Sequence, residues 1–280
     1  MPAPVALLDR AVAGAGPIVF LTGAGISAES GIPTFRGPEG YWRVGSRNYR
    51  PQELATVAAF SEMPDDVWAW YLYRRAVCRA AAPNEAHRAL AALEPALGAR
   101  FVLVTQNVDG LHLRAGNSAG RTWQIHGNID FMRCARECAP ALVPVPAGVA
   151  VDWGRERRLG AAEQALLRCA VCGGRARPHV LWFDESYDEE RFRFDSAVRA
   201  ASEAALLVVV GSSGSTSLPL QMASIVARRG APLVVLDPAP SPFSALAERG
   251  ENGVVAAGTA GALVPPLCAA LAARAAAGAG

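Results

Sequence analysis

The sequence predicts a doubly wound α/β fold, in which helices cover both faces of a parallel sheet and insertions form a smaller lobe. Short apolar runs bounded by Gly, Pro or polar residues recur along the chain, as is typical of strands that are buried on both faces. They occupy residues 18–21, 101–105, 206–210 and 233–236. Ala-, Leu- and Arg-rich helical stretches lie between them, at 87–97, 195–204 and 220–229. This alternation of strands and helices is the pattern of a doubly wound sheet.

Two segments interrupt the alternation and predict insertions that together make the smaller lobe. Residues 37–83 are aromatic and helical, and residues 131–177 contain four cysteines and a Pro-rich middle. The remaining segments, 1–36, 84–130 and 178–280, are assigned to the large domain, which ends in a surface helix at 265–277. A cleft between two such lobes is a common place for a ligand.

Composition narrows the functional class. The chain has 280 residues, of which 51% are hydrophobic, so it can bury a sizeable core. A net charge of only +2 gives no electrostatic reason to expect a nucleic-acid or membrane partner. All 27 basic residues are arginines, so no lysine of this chain can form a Schiff base. We see no secretion signal and no apolar run of about 18 residues, so we expect a cytoplasmic protein without a membrane span.

Four of the six cysteines occur in two close pairs and predict a metal site. Three residues separate Cys134 from Cys138, and two separate Cys169 from Cys172. Two such pairs are typical of a tetrahedral structural zinc site. Such a site has no open coordination position, so the zinc is not expected to be catalytic. A redox pair or a chance spacing is the alternative.

A glycine-rich segment directly after the first strand predicts a phosphate-binding loop. Gly23 and Gly25 would let the backbone approach a dinucleotide closely, and a helix that starts there would add its dipole. Two features argue against a dehydrogenase. Residues 41–50 contain no acid to bind a ribose, and Pro33 interrupts the helix that should follow the loop.

Polar residues follow the second strand, where the carboxyl end of a parallel strand faces the ligand crevice. Gln106, Asn107 and Asp109 come directly after this strand, and His126 precedes a glycine further along the chain. Each of these residues alone is compatible with a structural histidine or with ordinary turn chemistry. Their occurrence together with the glycine-rich loop favours a catalytic site.

Taken together, the motifs resemble those of the sirtuins, the NAD-dependent protein deacylases. The matches are residues 23–37, 105–115 (TQNVDGLHLRA) and 177–183 (RPHVLWF), the His126–Gly127 pair and the four cysteines, and they occur in family order. The resemblance implies a Rossmann-type NAD-binding domain, a zinc-bearing lobe, and an acyl-lysine protein or peptide as substrate. We expect a monomer.

The resemblance further implies that NAD is consumed. Nicotinamide leaves the ribose, and the acyl oxygen of the modified lysine forms a bond to the same ribose carbon. His126 would be the general base for the ribose hydroxyl, because the pKa of a histidine lies near working pH. Asn107 and Asp109 would assist at the ribose and nicotinamide ends. Residues implied to bind NAD are Gly23, Ala24, Gly25, Ser27, Ala28, Thr34, Phe35, Arg36, Trp42, Gln106, Asn107, Val108, Asp109, Gly211, Ser212, Ser213, Asp237 and Ala260.

The substrate residues follow from the same resemblance. Residues 180–183, among them Val180, Trp182 and Phe183, would form an edge strand that pairs with the substrate peptide. Tyr71 and Arg74 lie three apart on a predicted helix and match the pair found in sirtuins that prefer acidic acyl groups. A guanidinium can bind the carboxylate of a succinyl or malonyl group.

Several alternatives stay open at this point. Tyr71 could be a core aromatic and Arg74 a solvated helix residue, in which case the enzyme would act mainly on acetyl groups. A sirtuin-like domain could also hydrolyse NAD, transfer ADP-ribose, or bind NAD as a sensor without turnover.

Three positions depart from the family pattern. Asp184 replaces a glycine in the substrate strand, where its side chain is expected to crowd the peptide or to favour basic flanking residues. Residues 211–217 replace the usual Gly-Thr-Ser loop, and Asp237 replaces an asparagine on the adenosine side.

Overall fold

The computed structural model describes residues 3–34 and 51–278. Within these residues the strands are β1 (Ile18–Thr22), β2 (Phe101–Thr105), β3 (Thr122–Gln124), β4 (Gly127–Cys134), β5 (Val143–Pro144), β6 (Ala176–Val180), β7 (Leu206–Val210), β8 (Leu233–Leu236) and β9 (Gly253–Ala256). The α-helices are α1 (Val5–Ala13), α2 (Pro51–Leu54), α3 (Val57–Glu62), α4 (Pro64–Ala80), α5 (Glu85–Leu97), α6 (Leu111–Ala115), α7 (Ala161–Leu166), α8 (Glu189–Phe192), α9 (Phe194–Glu203), α10 (Ser217–Arg228), α11 (Pro242–Arg249) and α12 (Ala260–Ala277).

Six parallel strands form the central sheet, in the order β3-β2-β1-β7-β8-β9. From β1 the chain moves outward through β2 to β3, and it later returns to add β7 on the other side of β1. The strand order therefore reverses between β1 and β7. In doubly wound sheets, ligands bind outside the carboxyl ends of the strands at such a point.

The sheet is covered on both faces, which confirms the predicted fold class. All residues of β1, β2, β7 and β8 are buried, as expected of strands packed between two helical layers. On one face α1, α5 and α12 supply Leu8, Leu90 and Leu267 to the core. On the other face, α10 and α11 contribute Met222 and Phe243.

Helix α12 begins at Ala260, five residues before the predicted start of the last helix. By length and composition alone it could cross a membrane, a property that the search for apolar runs in the sequence did not identify. In this fold Val264, Leu267 and Leu271 are fully buried in the core against the sheet. Packing against the sheet therefore explains why one side of this helix is apolar.

The two insertions pack on one another. A second sheet, antiparallel and in the order β5-β4-β6, carries the cysteine segments. Trp68 and Leu72 of α4 share one hydrophobic cluster with Met132 and Trp153 from the cysteine-bearing segment. The small sheet reaches from Gly127 to Val180, slightly beyond the predicted 131–177 segment. His126 directly precedes β4, and only Ile125 separates it from the end of β3.

Candidate active site

One cavity of about 690 Å³ runs along the carboxyl edge of the parallel sheet and continues beneath the small lobe. All the implied NAD and substrate residues that the structure describes line it, together with the candidate base. Phe35, Arg36 and Trp42 lie outside the described residues. The sequence therefore identified residues that are far apart in the chain and share one cavity.

The floor of the NAD end is made of backbone from two loops at the switch point. The Gly23 N–H donates to the Val210 carbonyl at 3.0 Å, and the Gly25 N–H donates to the Gly211 carbonyl at 2.8 Å. A Cβ atom on Gly25 would lie 2.6 Å from the Gly211 Cα, closer than side chains approach a backbone. The loops can meet in this way only because both positions are glycine. A 3₁₀ helix, Ala24–Ser30, follows where the sequence predicted a helix start.

Ser27 lies at the centre of a buried polar network behind this floor. Its hydroxyl donates to Asp109 Oδ2 at 2.7 Å and accepts from Asn107 Nδ2 at 3.1 Å. The same Asn107 amide donates to the Gly23 carbonyl at 3.0 Å. Burial raises the pKa of the Asp109 carboxyl, although hydrogen bonds from Leu111 and Ser27 oppose the shift. The network fixes Asn107 and Asp109 against the glycine loop.

The His126 ring is held at both nitrogens. Nδ1 lies 3.0 Å from the Gln106 carbonyl, which can only accept, so Nδ1 carries the proton and neutral His126 has its lone pair on Nε2. Burial lowers the pKa of His126 to about 4, although the Gln106 carbonyl opposes the shift. The sequence-based expectation of a near-neutral pKa is therefore wrong, because desolvation disfavours the imidazolium.

Tyr187 is a contact of the base that the sequence analysis missed. Its phenol oxygen lies 2.8 Å from His126 Nε2, and the residue also lines the cavity. It lies 61 positions beyond His126 in the chain, in the loop between β6 and α8, outside the motifs that carry the resemblance. No spacing signal in the sequence pointed to it.

The other end of the cavity is built from side chains of α4. Tyr71 and Arg74 are buried, with exposures of 1% and 6%. The Arg74 guanidinium carbon lies 4.8 Å from the Trp70 ring centroid and 5.5 Å from the Tyr71 ring centroid. The Tyr71 phenol accepts from Trp182 Nε1 at 2.9 Å, which links α4 to the predicted substrate segment. Arg74 is thus not a solvated helix residue.

Of the predicted edge strand 180–183, only Val180 lies in a strand, because β6 spans Ala176–Val180. The Trp182 N–H donates to the Glu185 carboxylate at 2.9 Å, and the Glu185 N–H donates back to the Trp182 carbonyl, which turns the chain. Phe183 is 56% exposed, and its N–H donates to the Ala55 carbonyl at 3.0 Å.

Asp184 has a role that the sequence did not suggest. Its carboxylate accepts from the Val57 N–H at 2.9 Å and from the Ala58 N–H at 3.3 Å, in the first turn of α3. Free N–H groups at a helix start favour an acceptor there. Asp184, which replaces the usual glycine, therefore connects the substrate segment to the start of α3 by hydrogen bonds.

The four predicted cysteine ligands form a single cluster, with sulfur atoms within 4.8 Å of one another. Cys134 Sγ lies 3.6 Å from Cys172 Sγ, and Cys138 Sγ lies 3.5 Å from Cys169 Sγ. Tetrahedral zinc with Zn–S bonds of about 2.3 Å requires sulfur–sulfur separations of about 3.8 Å. The cluster therefore fits a structural zinc ion. The other two cysteines, Cys78 and Cys268, are buried and free.

Comparison with known proteins decides the family. The model of the Sir2 family matches residues 23–217. The chain belongs to the Sir2 family. An "NAD-dependent protein deacylase" of Leptospira interrogans is 40% identical over 244 residues, covering 85% of this chain and 89% of that protein. "NAD-dependent protein deacylase 1" of Pseudomonas aeruginosa is 41% identical over 230 residues, covering 82% of this chain and 86% of that protein.

Solved Sir2 structures share the fold. A Sir2 homologue in complex with NAD superposes with a TM-score of 0.73 at 34% identity, covering 96% of this chain and 94% of that chain. A Sir2–p53 peptide–NAD⁺ complex superposes with a TM-score of 0.70 at 26% identity, covering 94% and 95%. The chain therefore shares the Sir2 fold over nearly its whole length.

Proposed function

We propose that this Sir2 protein is an NAD-dependent protein-lysine deacylase that favours acyl groups ending in a carboxylate, such as succinyl and malonyl. The observation that carries the acyl preference is the buried Tyr71–Arg74 pair, which lines the same cavity as the candidate base. The deacylase activity rests on the family, on relatives of that name, and on the NAD complexes of Sir2 neighbours.

The two ends of the cavity have different roles in the proposed reaction. Gly23, Gly25 and the neighbouring hydroxyls present backbone and small polar groups that suit a dinucleotide. NAD, when bound, supplies a ribose carbon whose bond to nicotinamide is replaced by a bond to the acyl oxygen. That exchange requires no proton transfer to the protein.

His126 has the protonation state and the tautomer that a general base needs. Its Nδ1 proton is held by the Gln106 carbonyl, so Nε2 carries the lone pair that can accept a hydroxyl proton. The pKa of about 4 keeps the imidazole neutral at working pH. Once a ribose hydroxyl has lost its proton to Nε2, its oxygen can attack the acyl carbon.

The acyl end favours a carboxylate for electrostatic reasons. Arg74 is a permanent cation with parallel N–H donors, and the Tyr71 phenol lies on the same helix face. Both are shielded from water, so a charge-assisted contact there is stronger than on the surface. The methyl end of an acetyl group would leave these groups without an acidic partner from the substrate.

A direct test compares matched succinyl, malonyl and acetyl peptides in the wild type and in Arg74→Met. We expect the wild type to favour the acidic peptides, and Arg74→Met to lose about 2–4 kcal/mol of transition-state binding for them alone. Arg79→Met is the matched control, because Arg79 lies on the same helix but is exposed and pairs with Asp130.

Two results would contradict the acyl preference: faster acetyl turnover by the wild type, or an equal loss on all peptides in Arg74→Met. Product analysis separates the remaining functions. A deacylase gives O-acyl-ADP-ribose only when the acylated peptide is present. Loss of NAD without peptide indicates an NAD hydrolase, and no loss under either condition indicates a sensor.

A further inference from the structure

The Tyr187 phenol occupies the acceptor atom that the base must use. Neutral His126 has a single lone pair on Nε2, because Nδ1 carries the proton. The Tyr187 hydroxyl, 2.8 Å from Nε2, must therefore donate to it. A ribose hydroxyl cannot donate to the same lone pair while this bond persists.

Thr216 lies beside the phenol. Its side chain is close enough to oppose the rise in the Tyr187 pKa that burial causes. The Thr216 hydroxyl donates in turn to Gln106 Oε1 at 3.1 Å. Because the Thr216 proton is used in this bond, the Thr216 oxygen keeps a lone pair that can accept from Tyr187.

The Tyr187 ring itself is fixed by packing. It lies 5.8 Å from the His126 ring and 6.3 Å from Phe194, measured between ring centroids. The hydroxyl proton can rotate about the C–O bond between Nε2 and Thr216 without movement of this ring. The change between partners therefore needs no rearrangement of the loop.

We propose that Tyr187 is a positioning residue for His126: it holds Nε2 in the free enzyme and turns its hydroxyl toward Thr216 when the ribose hydroxyl arrives. The inference rests on the proposed deacylase function. Tyr187 also fixes the orientation of the imidazole, because no other side chain among the described residues hydrogen-bonds this ring. After proton transfer, the phenol oxygen can accept from the new Nε2–H, since a phenol accepts as well as donates.

This role predicts a selective kinetic defect. The exchange of nicotinamide for the acyl oxygen moves no proton, whereas attack by the ribose hydroxyl requires the base. Tyr187→Phe keeps the ring and removes the hydroxyl. We expect it to slow deacylation about tenfold, which is the scale of one lost hydrogen bond to a group that becomes charged. Exchange of labelled nicotinamide into NAD, measured with the same acyl peptide, should stay within about twofold of the wild type.

A spectroscopic measurement reports on the contact itself. In protein labelled with ¹⁵N-histidine, the Nε2 resonance of His126 should move toward that of an unbonded ring nitrogen in Tyr187→Phe. Substitution of His126 by Asn identifies the resonance. Tyr73→Phe is the matched control, because Tyr73 lies on α4 and does not line the cavity. It should leave both rates and the resonance unchanged.

Three outcomes would overturn the inference: wild-type deacylation in Tyr187→Phe, an equal loss in deacylation and exchange, or an unchanged Nε2 resonance. If Tyr187→Phe does not fold, Thr216→Val removes the second partner, and the same selective slowing of deacylation is expected. If the wild type itself neither exchanges nicotinamide nor deacylates, the proposed function fails, and the ¹⁵N measurement alone decides whether Tyr187 holds the base.

Discussion

The two ends of the cavity are built in opposite ways. At the NAD end the surface consists of backbone from the Gly23 and Gly211 loops and of small hydroxyls such as Ser212. At the acyl end it consists of large buried side chains from one helix, Tyr71 and Arg74. The surface of the first end therefore depends on the absence of side chains, whereas that of the second depends on which side chains are present.

This difference has consequences for sequence change. The loop at 211–217 departs from the family pattern, yet Gly211 still meets Gly25, and Ser212 still accepts from Gln106 Nε2 at 2.7 Å. A backbone surface therefore tolerates the exchange of one small polar residue for another. A single substitution at the acyl end is expected to change which substrate is used.

The largest expected effect follows from adding one carbon at the NAD end. Gly25→Ala would place a Cβ atom 2.6 Å from Gly211 Cα and 2.9 Å from its carbonyl oxygen, so the two loops must separate. We expect a loss of about 1–3 kcal/mol in unfolding free energy, as for other overpacked sites. Calorimetry should also show greatly weakened NAD binding, and turnover of all acyl peptides should fall by the same factor.

Gly120→Ala is the matched control, since a Cβ atom there has no neighbour within 4 Å. It should bind NAD normally. Normal NAD affinity in Gly25→Ala would show that the close approach of the two loops is not needed for the site. If Gly25→Ala instead lost turnover of only one acyl substrate, the two ends of the cavity would not have separate roles.

A smaller effect is expected from removing one oxygen at the acyl end. Tyr71→Phe deletes the phenol that lies beside Arg74 and accepts from Trp182 Nε1. We expect the ratio of succinyl to acetyl turnover to fall about fivefold, the scale of one net hydrogen bond. NAD affinity should not change. Initial rates on the matched peptides measure the ratio.

Tyr73→Phe provides the comparison for a lost phenol on the same helix. If Tyr71→Phe lowers succinyl and acetyl rates equally, the phenol acts only by supporting Trp182. The acyl end would then owe its selectivity to Arg74 alone.

The sequence predicted the elements and motifs that have local signals. The four buried strands it identified are β1, β2, β7 and β8, because continuous apolar runs bounded by turn residues mark strands covered on both faces. The grouping of four cysteines followed from their spacing, and the fold brings them together. The short strands β3 and β9 were not identified. β3 has only three residues, and β9 is less buried than the central strands.

The contacts that the sequence missed depend on distant parts of the chain. Tyr187 reaches His126 across 61 positions, and Asp184 reaches the start of α3 across 127. Burial of His126 lowers its pKa through the surrounding protein, which no local pattern shows. Such features are properties of the assembled cavity. Sequence motifs located the site, while the hydrogen bonds that tune it required the fold.

The smallest expected effect is a response to pH, and it tests whether the two ends are electrostatically independent. The pKa of about 4 keeps His126 neutral from pH 8 down to pH 6. Guanidinium groups in general are permanent cations. We therefore expect the ratio of succinyl to acetyl kcat/KM to change less than about twofold over this range, with no acidic limb near the ordinary histidine pKa of about 6.5. Asp109, whose pKa burial raises, is a second cavity group that could produce a limb. If a limb appears near pH 6.5 and persists in Asp109→Asn, the base is more solvated than a pKa of about 4 implies. A limb that disappears in Asp109→Asn would instead assign the titration to the network behind the glycine loop.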